Sequence, residues 1–474
     1  MARVSIFLIT LILLAGMLGC DVNREYTLTI ASTAGGSVNT PGEGVFAYDE
    51  GTAVDLVAEA DGGYYFVKWT GDLDTVDDAG AIETTITMSN DYSITANFEA
   101  LDPGTLFAGG NGTGENPYQI ANWSHLNNVR DYLDDHFILM NDLDSTTAGY
   151  EELAGLTADG GRGWQPIGTD DDPFTGTLDG QGFEITDLFV NRPADESFVG
   201  LFGYVDQGGV VGNIGMANVT VTGDVGVGGL VGVNLGTVSH SYSAGSVSGC
   251  DAVGGLVGLN VGNTSYCHSN AGVTGTGSTT AEVSGAGGLV GTNYAHISYC
   301  YSTGSVTGVS PVGGLVGVDY FGSVSYSYST ASVIGDLGVG GLVGLHALGA
   351  VSNSYATGSV TGTSYIGGLV GGNSFNGTVN NSYSCGSVTG GDSIGGLVGF
   401  NHGTATVSGS FWDTQASGQA TSDGGTGKTT AEMQSIATFS AWNIIAVVNP
   451  STRNPVYIWN IVDDETYPFL SWQS

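Results

Sequence analysis

Apolar and polar residues alternate in short stretches along most of this chain, and helical spacing is confined to a few places. "YTLTIAS" (Tyr26–Ser32), "TAVDLVAEA" (Thr52–Ala60) and "YSITANFEA" (Tyr92–Ala100) read as period-2 strands separated by Gly, Asp and Pro. "TPGEG" at Thr40–Gly44 is a turn, and Tyr64, Phe66 and Trp69 are the expected core. Residues 26–100 therefore predict a small β-rich module. Between Asn116 and Asp144 the pattern predicts strand, helix, strand, with Ser124 as N-cap and Leu126, Val129 and Leu133 on one helical face.

From Gly228 onward one word returns. "GGLVG" opens at residues 228, 254, 287, 313, 340, 367 and 395, with "GLFG" at Gly200–Gly203 as a divergent first copy. The spacings are 26, 33, 26, 27, 27 and 28 residues, a period that implies stacked repeats. Each unit divides into three short strands, around "GLVG", "VSHSYS" and "GSVSG" in one copy. Coils stacked about 4.8 Å apart form a β-solenoid of about eight turns. The expected fold is all-β: a right-handed parallel β-solenoid (β-helix) over 193–410, capped by 101–192 and 411–474. In this reading the glycines permit turns between coils, while Leu and Val form the buried strand.

Aligned copies give columns. Two residues after each word stand Asn234, Asn260, Asn293, Asp319, His346, Asn373 and Asn401. Asn and Asp tolerate left-handed backbone, so this column reads as a structural turn ladder of side-chain amides. A second column holds Tyr242, His268, Tyr301, Tyr328, Tyr355, Tyr383 and Phe411; one residue earlier stand Ser241, Cys267, Cys300, Ser327, Ser354, Ser382 and Ser410. Alternation places these two on opposite faces. The column two before the aromatics (His240, Tyr266, Tyr299, Tyr326, Asn353, Asn381, Gly409) is variable and polar. On a regular strand the aromatics share its outer face, and a bend would reverse this. Two readings of the tyrosines stay open: a ladder on which sugar rings stack, or stacking that only stabilises the sheet. Cys267 and Cys300 share a column, within disulfide reach or as buried thiols.

Several stretches resemble known families. "MARVSIFLITLILLAGMLGC" has one base, a short apolar run and small residues at its end, the form of a secretory signal. Its "MLGC" resembles a bacterial lipobox. The resemblance implies a signal peptide over 1–19, a lipidated Cys20, a linker over 20–25, and an exported, surface-exposed chain held to the envelope membrane by that lipid. "GTAVDLVAEA", "GYYFVKWTGD" and "ITANF", in that order, resemble the bacterial repeat domain related to internalin B-type repeats, a spacer or adhesion module without catalytic residues. "FTGTLDGQGFEITDLFV" (Phe174–Val190) resembles the first coil of right-handed β-helix proteins. The "GGLVG" copies resemble the GLUG motif of bacterial surface proteins, some of them IgA-specific metallopeptidases. Those peptidases use HExxH, which this sequence lacks, so their activity does not carry over.

Composition narrows the function classes. The chain of 474 residues has 81 Gly, only 10 Pro, 8 Lys and Arg against 46 Asp and Glu, and a net charge of -38. Phosphate backbones and anionic lipids require clustered cations, so a nucleic-acid partner is excluded from the reading. High Gly without a three-residue period argues against collagen. A polysaccharide lyase needs a base, and residues 193–410 contain no Lys or Arg. A polysaccharide hydrolase needs two facing carboxylates; the nine acids there are scattered among turns. Asp170, Asp171 and Asp172, with Asp142 and Asp144, are candidate calcium ligands, without EF-hand spacing. "SDGGTGKTT" at Ser422–Thr430 lacks the first Gly of a phosphate loop and reads better as a capping box of Thr429 and Glu432. The aromatic tail is expected to close the solenoid's open end. The sequence thus favours a non-enzymatic envelope protein binding glycan or protein along the solenoid, with no cofactor unless calcium. A carbohydrate-active enzyme and a plain stalk are the alternatives.

Overall fold

The computed structural model describes residues 24–61, 64–100, 106–193, 197–277, 285–309 and 311–473. Cys20 and the signal segment lie outside them. Two compact units divide between Thr105 and Leu106.

The first unit pairs a four-stranded sheet with a three-stranded one. Leu28, Leu56, Trp69, Ile86 and Met88 are fully buried between alternating polar positions. Trp69 fills this core, but Tyr64 does not: it is 37% exposed. Tyr64 is the first residue of its strand, and a register shift follows between Phe66 and Lys68. The bulge brings Phe66 and Trp69 to one face, with rings 5.7 Å apart.

The second unit is a parallel β-solenoid of about eight turns, whose "VG" strands pair in register from coil to coil. Val231 pairs with Val257, Val257 with Val290, and Val290 with Val316. One sheet stacks eight strands, Phe202–Val205 and the seven that carry "VG". A second stacks Thr237–Ser239 and its copies, and runs on into the N-terminal cap through Thr177–Asp179 and His136–Leu139. The third contains Tyr242 and its copies. Leu230, Leu256, Leu289, Leu315, Leu342, Leu369 and Leu397 are fully buried and fill the centre. The glycines of the repeated word have a different role from the expected one. None has a positive φ. They are needed because backbones of adjacent coils approach closely: a Cβ on Gly228 would stand 2.6 Å from the Leu256 carbonyl oxygen, and one on Gly232 2.6 Å from the Phe198 carbonyl carbon.

In the N-terminal cap the helix Trp123–Asn128 begins two residues earlier than expected. Asn122, not Ser124, is its N-cap and accepts from His125 N–H at 2.9 Å. Leu126 and Val129 are buried, while the α-helix ends before Leu133. The C-terminal segment also departs from expectation. Phe411–Asp413 and Thr426–Lys428 add the last rungs, and Trp412 covers Gly396 at the solenoid's end. From Thr429, where the capping box with Glu432 forms, the chain turns back along the side of the solenoid. Its small sheet of Ile444–Ala446, Trp459–Ile461 and Phe469–Leu470 lies over the aromatic column. Met433, Phe439, Trp442 and Trp459 bury against Tyr355 and Tyr383, whose rings offer them an apolar face.

Candidate functional site

Each coil turns sharply once between its second and third sheets, and the turning residue is left-handed. The φ values are 51° at His240, 55° at Tyr266, 56° at Tyr299, 51° at Tyr326, 49° at Asn353, 46° at Asn381 and 55° at Gly409. Asn and Gly are the residues this backbone favours; a tyrosine or histidine there costs roughly 1–2 kcal/mol. The corner is held by the backbone: the N–H of Tyr266 donates to Ser298 O, and that of Tyr299 to Ser325 O. It is held from inside by the Ser/Cys column. Ser327 Oγ donates to Ser325 O at 2.7 Å and accepts from Cys300 N–H at 3.1 Å; Ser354, Ser382 and Ser410 repeat the pattern. Cys267 and Cys300 fit the same scheme as free buried thiols, donating to Ser265 O and Ser298 O. Burial, and then its neighbour Cys267, push the Cys300 thiol well above its ordinary range.

Outside the corner run two ring ladders. His240, Tyr266, Tyr299 and Tyr326 stack at 4.8, 4.8 and 5.0 Å, within 13° of parallel. Tyr242, His268, Tyr301, Tyr328, Tyr355 and Tyr383 stack at 4.6–5.0 Å, within 12°. In such stacks each ring's faces are occupied by its neighbours, so an interior rung shows solvent only its edge. The second ladder is moreover covered. Tyr355 and Tyr383 are 7% and 1% exposed. Tyr355 Oη accepts from Gln473 Nε2, and Tyr383 Oη donates to Pro468 O, both at 2.6 Å. These two residues are therefore removed from any ligand-stacking surface, because the C-terminal segment already stacks there. Tyr328 lies 5.9 Å from Trp472. Tyr242 bonds Glu184 in the N-terminal cap; burial first, and then that carboxylate, push its hydroxyl up to about 12.

The first ladder stays more open, with Tyr266 48% exposed. It ends at Tyr326, because the next corner holds Asn353. There the C-terminal segment forms a cleft of about 280 Å³ lined by Tyr299, Tyr326, Tyr457, Ile458, Ser471 and Trp472. Trp472 Nε1 donates to Tyr326 O at 3.0 Å, and its ring stands at 75° to Tyr299. Sequence reasoning identified the two columns but not this cleft, since Tyr457 and Trp472 belong to no repeat. The density of aromatics in "NPVYIWNIVDDETYPFLSW" was the available signal.

The amide column is buried inside the solenoid. Asn234, Asn260, Asn293, Asp319, His346 and Asn373 are fully buried, and Asn401 is partly so. None is left-handed, so the residue type is set by side-chain bonding and not by turn conformation. Asn234 Nδ2 donates to Asn260 Oδ1, Asn260 to Asn293, and Asn373 to Asn401, all at 2.8 Å. Asn293 donates to Asp319 Oδ1 at 2.7 Å, while its own Oδ1 accepts from Ala295 N–H. Asp319 interrupts the sense of the ladder by accepting on both sides, its Oδ2 lying 2.9 Å from His346 Nδ1. Beyond it His346 Nε2 and Asn373 Oδ1 are buried without a partner among the described residues.

Asp170, Asp171 and Asp172 are not brought together with Asp142 and Asp144 in any cluster among the described residues. Among the described residues no group of three or more His, Cys, Asp or Glu converges. The three are exposed on a turn, and the Asp172 N–H donates to Thr169 Oγ1 at 3.0 Å. Asp142 accepts from Glu184 N–H, and Asp144 from Thr146. A further cleft, about 610 Å³, lies in the N-terminal cap beside Arg162 and Arg192. Both bond Asp159, at 3.0 and 2.7 Å.

Residues 26–102 match the divergent InlB B-repeat domain, and residues 283–307 and 335–361 match the GLUG motif. Both motifs are thus present in this chain. A protein of Evansella cellulosilytica, provisionally named a Gly-rich membrane protein, is 40% identical over 141 residues, which cover 29% of this chain and 15% of that protein. Halomucin of Haloquadratum walsbyi is 32% identical over 194 residues, 37% of this chain and 2% of its own length. The chain thus spans a small part of either relative. A solved structure from Bacteroides ovatus, provisionally named an immunoglobulin A1 protease, aligns over 79% of this chain and 98% of its own, at 21% identity and a TM-score of 0.44.

Proposed function

We propose that this chain is a non-enzymatic surface protein of the cell envelope that binds a glycan at the C-terminal step of its corner ladder. The carrying observation is the cleft, where Tyr299, Tyr326 and Trp472 converge beside Ser471 and the Tyr457 hydroxyl. Apolar rings with a few hydroxyls around them suit a sugar, which has apolar C–H faces and a polar rim. The backbone adds support. Tyr299 and Tyr326 hold left-handed corners that Asn and Gly occupy in later coils, and such unfavourable choices gather at functional positions.

Surface placement draws support from the relatives, one named a membrane protein and the other a halomucin. In our reading Cys20 carries the lipid that anchors the chain. No described helix is long and apolar enough to cross a membrane. The test is binding of the full chain to a glycan array, beside the double variant Tyr299→Asn/Tyr326→Asn. Asn suits both corners, so the variant is expected to keep its circular dichroism and lose binding. Release of reducing ends or unsaturated sugars from a polysaccharide panel would replace this reading with an enzyme. Absence of binding to every glycan would leave a stalk.

A further inference from the structure

Resting on that glycan reading, we infer that the ligand is the uncharged terminal pyranose of a glycan, taken end-on, and not a polysaccharide laid along the ladder. Three observations carry this. First, the ladder offers no continuous stacking track. Its rings lie 4.8–5.0 Å apart and nearly parallel, so neighbours occupy the interior faces. Tyr326 is the last ring; among the described residues its only ring partner is Tyr299, and its far side looks to Asn353. One terminal face can therefore take a sugar's apolar face.

Second, Trp472 obstructs a chain running beside the column. Its ring lies 6.0 Å from Tyr299, 6.4 Å from Tyr301 and 5.9 Å from Tyr328, so it bridges the gap between the two ladders. The cleft at about 280 Å³ is at the small end of ligand sites, room for one or two sugar rings and no more.

Third, the cleft has no charge to pair with a uronate, a sialate or an amino sugar. Apart from phenols, its lining side chains do not ionise. Arg453, on the same segment, is committed: Nε donates to Gln473 O at 2.8 Å, and the guanidinium lies 4.3 Å over Phe469. A chain of net charge -38 further disfavours an anionic sugar.

Saturation-transfer NMR on the full chain tests this with methyl glucoside, galactoside and mannoside, methyl glucuronoside, and one neutral glycan supplied as trisaccharide and as long polymer at equal mass. A neutral pyranoside is expected to bind and the glucuronoside not. Polymer signal should fall with the number of chain ends. Tyr326→Asn is expected to weaken binding by about tenfold or more, the loss of one ring face, with melting unchanged. Tyr266→Asn, within the ladder, should leave binding intact. Equal binding of polymer and trisaccharide, preference for the glucuronoside, or full binding by Tyr326→Asn would each overturn the end-on inference while leaving glycan binding standing. Failure of every sugar to bind would overturn the functional reading itself.

Discussion

The buried amide column and the exposed corner column repeat with the same period and occupy every coil, yet they obey opposite constraints. In the amide column the side chain is the constraint. Each rung must donate upward and accept from below in a dry interior, so Asn recurs and only Asp319 and His346 intervene. In the corner column the backbone is the constraint. The left-handed turn and its N–H bond are made whatever the side chain, so His, Tyr, Asn and Gly follow one another. Repetition alone therefore does not mark a binding surface. The informative column is the one that the fold leaves free to vary.

The largest expected effect lies inside. Asn293→Leu strands Asn260 Nδ2, Asp319 Oδ1 and the Ala295 N–H, and is expected to cost about 4–5 kcal/mol by urea unfolding. A cost below about 1 kcal/mol would mean that the amide column is not a constraint. Tyr383→Ala removes a ring held between coil and C-terminal segment, at about 3–4 kcal/mol. It has a second readout. The nearby Cys385 thiol is pushed up to about 12, chiefly by burial and then by Asp413. Mildly alkaline iodoacetamide therefore finds it protonated and should spare it in the native chain, but alkylate it in the variant.

A gain is expected from Asp319→Asn. With Asn there, Nδ2 can donate to His346 Nδ1, His346 Nε2–H to Asn373 Oδ1, and every rung runs in one sense. A buried carboxylate is then gone, and the two orphaned atoms become complementary as donor and acceptor, worth about 1–3 kcal/mol if the rungs close to bonding distance. Destabilisation would show that the Asp319–His346 pair stabilises more than the break in the ladder costs. The smallest effect is Tyr266→Asn. Relief of the left-handed tyrosine offsets the lost stacking, for a net change below about 1 kcal/mol in either direction.

The repeat was legible because close coil packing demands Gly at fixed positions and Leu at the centre, and both are visible as a period. The inward Ser/Cys column was legible from alternation, even though the strand bends: Ser241 and Ser243 both follow the corner at His240 and still bury. The left-handed corner itself was not, because Tyr266, Tyr299 and Tyr326 are poor indicators of such backbone, and only Asn353, Asn381 and Gly409 hinted at it. The cover over Tyr355 and Tyr383 was equally hidden. Trp459, Tyr467 and Gln473 meet rungs 76 to 118 positions away, and no local pattern encodes those pairings.

The returning C-terminal segment works as a ruler. It grips Tyr326 through Trp472, Tyr355 through Gln473, Tyr383 through Pro468 and Gly409 through Trp442, four consecutive coils measured by one stretch of fixed length. Coils within that span cannot be gained or lost without pulling every grip out of step. Trp472 also touches Tyr299 and Tyr301 in the preceding coil; among the described residues no such tether reaches earlier coils, and the one lengthened spacing, 33 residues from Gly254 to Gly287, lies just before that coil. Duplication or deletion of a repeat can thus change the length of this molecule on one side while the step at Tyr326 keeps its place.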